Sequence, residues 1–107
     1  MKSLKIAMTV AFVAGAAVAT VAADKTINQN GKLFSETEIT VKKGETVNFL
    51  NDDNIVHNVM STTAGNEFNV GAAKPGTVTP VTFKAAGDVR VICAIHPSMK
   101  MVVKVTE

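Results

Sequence analysis

Apolar residues return at every second position through most of the chain from Thr26 onward, a period that admits strands and leaves no room for a long amphipathic helix. In "ETEITVKKGE", Ile39 and Val41 alternate with Glu38, Thr40 and Lys42, and Gly44 punctuates a turn. In "TVNFLND", Val47 and Phe49 alternate with Thr46 and Asn48. "TPVTFKAAGDVRVIC" puts Thr79, Val81 and Phe83 on one face, turns at Ala86-Gly87-Asp88, and resumes with Val89, Val91 and Cys93 in phase. "KMVVKVTE" does the same with Met101, Val103 and Val105. Thr26 to Gln29 reads as an edge strand closed by an Asn30-Gly31 turn. Ser61 to Thr77 is the least patterned segment, with a short strand expected around Phe68. Phe34, Phe49, Phe68 and Phe83 are the aromatic core candidates. Seven or so short strands with turn signals at this spacing predict an all-β fold, a Greek-key β-sandwich.

The first 23 residues stand apart. "MKSLKIAMTVAFVAGAAVATVAADKT" has a short basic head at Lys2 and Lys5, an uncharged run from Ile6 to Ala23, and small residues at its end. This is the pattern of a secretory signal peptide, residues 1–23, cleaved after Ala23 to leave a domain of residues 24–107. A retained anchor is the rival reading, but the run is Ala-rich and near the lower limit for spanning a bilayer. The expectation is an exported protein with no stable membrane insertion after cleavage, and a monomer. Without Lys2 and Lys5 the chain keeps nine Lys and Arg against nine Asp and Glu. That balance argues against a nucleic-acid partner held by phosphate neutralisation. Lys42-Lys43 and Asp52-Asp53 read as solvated turn charges, the latter pair flanking the segment that carries His57.

Small exported domains often staple themselves with disulfides, yet this chain has a single cysteine. It lies in "CAIHPSM", where Cys93, His96 and Met99 follow one another at three-residue steps. Cys93 is in phase with Val89 and Val91, and His57 in "NDDNIVHNVMS" is in phase with Ile55 and Val59. A buried imidazole without a partner loses roughly 1–3 kcal/mol of hydrogen-bonding free energy. Two inward soft donors on separate strand ends, with a second histidine just after the thiol, therefore point to a shared metal. Two imidazoles, a thiolate and a thioether form a nitrogen–sulfur set that suits copper. Two His and one Cys in a plane with a weak axial Met is the arrangement of electron-transfer copper sites. Zinc gains little from a thioether, and calcium and magnesium demand oxygen ligands. Pro97 restricts the backbone directly after His96.

These residues carry a family resemblance. "CAIHPSM" resembles the C-x-x-H-P-x-M ligand loop of amicyanin-like cupredoxins, the type 1 blue-copper proteins that also include plastocyanin-like members. "VNFLNDDNIVHNV" is similar to the segment of that family which carries its first histidine followed by Asn, and "AAGDVRVICAIHPSMKMVVKV" to its C-terminal hairpin. The likeness runs from about Ile27 to the C-terminus. It implies a Greek-key sandwich holding one type 1 copper per chain, with His57, Cys93 and His96 as strong ligands and Met99 as the axial one. It also implies a small, non-enzymatic periplasmic carrier of single electrons. Redox partners, a dehydrogenase as donor and a c-type cytochrome as acceptor, would dock transiently near His96, where Pro97, Ala72 and Ala73 are candidate apolar neighbours. Two positions depart from the pattern. Val91 stands where an aromatic residue is common. Ala94 stands where a side chain often bonds the Asn after the first histidine, so Asn58 is expected to lack that cross-loop partner. Plastocyanin-type loops place the methionine five residues after the histidine, which would be Met101 here. Strand phase assigns Met101 to the core beside Val103 and leaves Met99 on the loop.

Two other classes of function remain open on the sequence. A copper-handling module without electron-transfer duty could use the same four donors, and it would bind cuprous ion preferentially and exchange it quickly. A hydrolase with Cys93 as nucleophile and a histidine as base lacks an oxyanion-hole glycine cluster.

Overall fold

Each alternating run becomes a strand in the computed structural model, which describes residues 25–107. The strands are β1 (Lys25–Asn30), β2 (Leu33–Phe34), β3 (Glu38–Lys42), β4 (Thr46–Asn51), β5 (Met60–Ser61), β6 (Phe68–Asn69), β7 (Val78–Thr82), β8 (Gly87–Ile92) and β9 (Lys100–Thr106). They form two sheets, one ordered β3-β9-β8-β5-β6 and the other β2-β1-β4-β7. The expected leader, residues 1–23, lies outside the described residues. Among the described residues no helix is long and apolar enough to cross a membrane.

The inward faces carry the predicted residues. Ile27, Val47, Phe49, Phe83, Val89, Val91 and Val103 are all buried between the sheets. Burying side chains of this size stabilises the fold by about 1.5–3 kcal/mol each before entropy is counted. Met101 and Val105 also sit in this core, as their phase with Val103 requires. Phe34 packs edge-on to Phe49, and half-buried Phe68 packs edge-on to Phe83.

Two features differ from the expectation. β1 is not an edge strand: it runs parallel to β4 on one side and antiparallel to β2 on the other. Its inward Ile27 and Gln29 need cover from both neighbours. The edges of this sheet are two-residue β2 and β7, where Pro80 is tolerated because it has a strand partner on one side only. His57 also lies outside the named strands. After Asn51 the chain leaves β4, and His57 makes an isolated two-hydrogen-bond bridge to Ala73.

The pairing gathers the functional segments at one end. β4 ends at Asn51 and leads to His57, while β8 ends at Ile92 and leads directly into Cys93. β8 returns as β9 in an antiparallel hairpin with Ile92 opposite Lys100, so residues 93–99 form the loop between them. β9 then runs parallel to β3, which anchors the hairpin at its outer side.

Candidate metal centre

The loop from Cys93 to Met99 is closed by its own backbone. The Cys93 amide donates to the Met99 carbonyl at 3.1 Å, and the Met99 amide donates to the His96 carbonyl at 2.8 Å. The three donor-bearing residues thus have little freedom. Opposite them, His57 is held by reciprocal backbone bonds to Ala73, at 3.0 and 2.7 Å. Asn51, fully buried, donates from its side-chain amide to both the Ile55 and Ala73 carbonyls and so fastens the two loops.

Three of the four expected ligands converge. His57, Cys93 and His96 present one donor atom each within 4.8 Å of one another. The Nδ1 atoms of His57 and His96 are 3.2 Å apart, and Cys93 Sγ is 3.7 Å from His96 Nδ1. First-row ions sit about 2.0–2.1 Å from imidazole nitrogen and about 2.3 Å from thiolate sulfur. The 3.2 and 3.7 Å separations suit pairs of donors that share one ion at these distances. Two ring nitrogens 3.2 Å apart are in reach of sharing a proton or a cation. Met99 is fully buried at the end of the same loop and Met101 lies one residue inside β9, and both belong to the buried core.

Exposure divides the two histidines. His57 and Cys93 are fully buried and His96 is half-buried. Around His96, Ile95, Pro97 and Ala94 are exposed, and so is Val56 beside His57. Ala72 belongs to the exposed set, but Ala73 does not: the bridge to His57 turns it inward and buries it.

Asn58 is not left without a cross-loop partner. Its Oδ1 accepts from the backbone amide of Ala94 at 3.0 Å, so a main-chain donor takes the place of the missing side chain. Its Nδ2 donates to Asn69 Oδ1 and to the Gly71 carbonyl, both at 2.9 Å. Its own amide points at Cys93 Sγ, 3.3 Å away, and stabilises negative charge on that sulfur. Gln29 donates to the Asn58 carbonyl from β1.

Asp53 corrects another expectation. Asp52 is an exposed turn charge, but Asp53 folds back so that its Oδ2 lies 3.0 Å from His57 Nε2. The His57 N–H holds the Asp53 carboxyl well below the usual carboxylate range, at about 2, and the Asn54, Lys32 and Gly31 amides push the same way. No spacing in the sequence announces this contact, because direction in a loop is not set by a strand's period. The available signal was an acidic residue four positions before an inward histidine.

The chain belongs to the plastocyanin/azurin family of copper binding proteins, whose family model matches residues 20–106. His57, Cys93 and His96 are positioned to bind one copper. The fold is shared with a purple cupredoxin from Nitrosopumilus maritimus, 24% identical with a TM-score of 0.68, over 77% of this chain and 99% of that one. A reduced Cu(I) amicyanin variant at pH 4 is 25% identical with a TM-score of 0.71, over 76% of this chain and 80% of that one. A copper-containing nitrite reductase from Thermus scotoductus SA-01 is 26% identical with a TM-score of 0.71. There 78% of this chain matches only 22% of the larger enzyme. Pairwise comparison with curated protein sequences gives no match.

Proposed function

We propose that the protein is a periplasmic type 1 copper carrier, not an enzyme, that moves single electrons between redox proteins. The observation that carries this reading is the meeting of His57 Nδ1, His96 Nδ1 and Cys93 Sγ on loops closed by their own backbone hydrogen bonds. Bound copper supplies a one-electron Cu(II)/Cu(I) couple. The chain's part is to keep the donors still in both oxidation states. The closed 93–99 loop and the His57–Ala73 bridge do so, and the Asn58 amide steadies charge on the sulfur. His96, the half-buried ligand, provides the contact to partners, with exposed Val56, Ile95 and Pro97 as a small apolar rim for brief, weak docking. A dehydrogenase as donor and a c-type cytochrome as acceptor fit this reading.

The protein of residues 24–107 with one equivalent of cupric ion should turn intensely blue, bleach on reduction, and recolour when mixed with an oxidised c-type cytochrome. Rapid loss of cuprous ion to a chelator, with no electron exchange, would instead assign it to copper handling.

We assign Met99 as the axial ligand. Met99→Leu conserves volume, so the fold should lose less than about 1.5 kcal/mol. Copper should still bind, with an altered visible spectrum and a shifted reduction potential. Met101→Leu, a change within the core, should alter neither. The reverse pattern would move the axial role to Met101.

A further inference from the structure

We infer that Asp53 is a positioning residue for the copper site, clasped by the β1–β2 turn so that it orients His57 and sets its electron density; this rests on the copper reading above. His57 has two ring nitrogens and the site needs one of them bare. Asp53 Oδ2 lies 3.0 Å from Nε2, a carboxylate with no proton to give, so Nε2 carries the hydrogen. Nδ1, facing His96 and Cys93, is then the free lone pair. A carboxylate behind a ligating imidazole both fixes the tautomer and makes the ring a stronger donor.

The carboxylate is itself held in place. Gly31 N–H donates to Oδ2 at 2.9 Å, Asn54 N–H donates to Oδ1 at 2.9 Å, and the Asp53 amide donates to Asn51 Oδ1 at 3.0 Å. Gly31 belongs to a two-residue hairpin loop in which Gly31 and Lys32 both adopt left-handed conformations, φ 64° and 61°. That pair defines a type I′ turn, which turns the Gly31 amide away from the hairpin and toward the Asp53 loop. Lysine is a poor occupant of such a position, and strained backbone persists where its surroundings over-determine it. Two further bonds pin the same turn to that loop: the Asp52 amide donates to the Gln29 carbonyl, and the Asn30 side chain donates to the Asp52 carbonyl. A hairpin more than twenty residues away in sequence thus reaches the metal ligand through one carboxylate.

The test compares Asp53→Asn with Asp52→Asn in the chain of residues 24–107. Both remove one negative charge, but Asp52 is exposed and its side chain touches neither histidine. Asp53→Asn can keep an acceptor near Nε2 without the charge. It should bind copper(II) about tenfold more weakly with copper(I) affinity little changed. For a one-electron couple that tenfold change is a rise of about 59 mV in reduction potential. Asp53→Ala, which removes the acceptor as well, should lose about 10–100-fold in affinity. In metal-free wild type, the His57 Nε2–H should be visible by nitrogen-15 NMR as a slowly exchanging proton, and it should be lost in Asp53→Ala. Asp52→Asn should change none of these. Equal shifts in both Asn variants, or no shift in either, would overturn the proposal. A wild type that binds copper but exchanges no electrons would defeat the carrier reading alone, because the affinity and NMR comparisons would still decide the role of Asp53.

Discussion

Cys93→Ser should abolish the blue colour expected of the copper-loaded protein and weaken copper(II) binding by at least about a hundredfold, while leaving a folded sandwich. The thiolate is the one soft anionic donor in the set, and a neutral hydroxyl at the same place offers neither its charge nor its polarisable electrons. Removing merely a residue behind a ligand typically costs 10–100-fold in affinity, so loss of a strong ligand sets that range as a floor. His57 and His96 remain 3.2 Å apart and can still hold copper weakly, without the sulfur-to-metal absorption. Serine is a better choice than alanine because the Asn58 amide, which points at Sγ, keeps an acceptor. Alanine would leave that buried N–H unsatisfied, at about 1–3 kcal/mol. Burying a serine hydroxyl in place of a thiol should cost the metal-free fold roughly 1–3 kcal/mol, read by urea denaturation. A variant that stayed blue would show that the colour does not come from Cys93, and the electron-carrier reading would go with it.

The parts of the structure visible in the sequence are those governed by a strict period. Ile39 and Val41, Val47 and Phe49, Val89 and Val91, and Val103 and Val105 alternate because one face of each strand is buried, and all eight are in the core. The ligand loop was legible for a similar reason: Cys93 continues the phase of β8, and His96 follows within one turn of chain. What escaped was set by contacts between segments far apart in sequence. The parallel pairing that makes β1 an interior strand joins residues some twenty apart, and no local pattern records it. The inward turn of Ala73 depends on its bridge to His57. The partner of Asn58 proved to be the backbone of Ala94, which every residue type provides, so side-chain identity could not announce it. Asp53 was misread with Asp52 because adjacent loop carboxylates look alike until the loop's path is known. Sequence pattern therefore pointed to His57, Cys93 and His96, which the structure brings together, while the network that holds them still came from geometry.

That division predicts a protein in which the fold can be weakened without retuning the metal site, and Phe83 is the place to show it. Phe83 is fully buried and follows β7 at the end of the sandwich away from the ligand loops, where its backbone bonds to Gly44 and Glu45. Its ring meets Phe68 edge-on with centroids 6.0 Å apart. Phe83→Ala should cost the metal-free protein about 3–5 kcal/mol, the transfer and cavity loss for a core phenylalanine. A domain of this size has on the order of 4–13 kcal/mol in total, so the variant should lose a large share of its stability and unfold at much lower urea. Copper binds the native state and so should restore it, by about 2.7 kcal/mol at free copper a hundredfold above the dissociation constant. The restored protein should show the wild-type visible spectrum and potential, because residue 83 lies beside Gly44 and Glu45, at the end of β4 away from His57. Urea denaturation with and without copper, followed by optical titration of the folded fraction, measures both effects. A spectrum displaced as far as that of Asp53→Asn would mean that strain travels the length of the sandwich to the ligands. The site would then owe its geometry to the core as a whole rather than to the loops that bracket it.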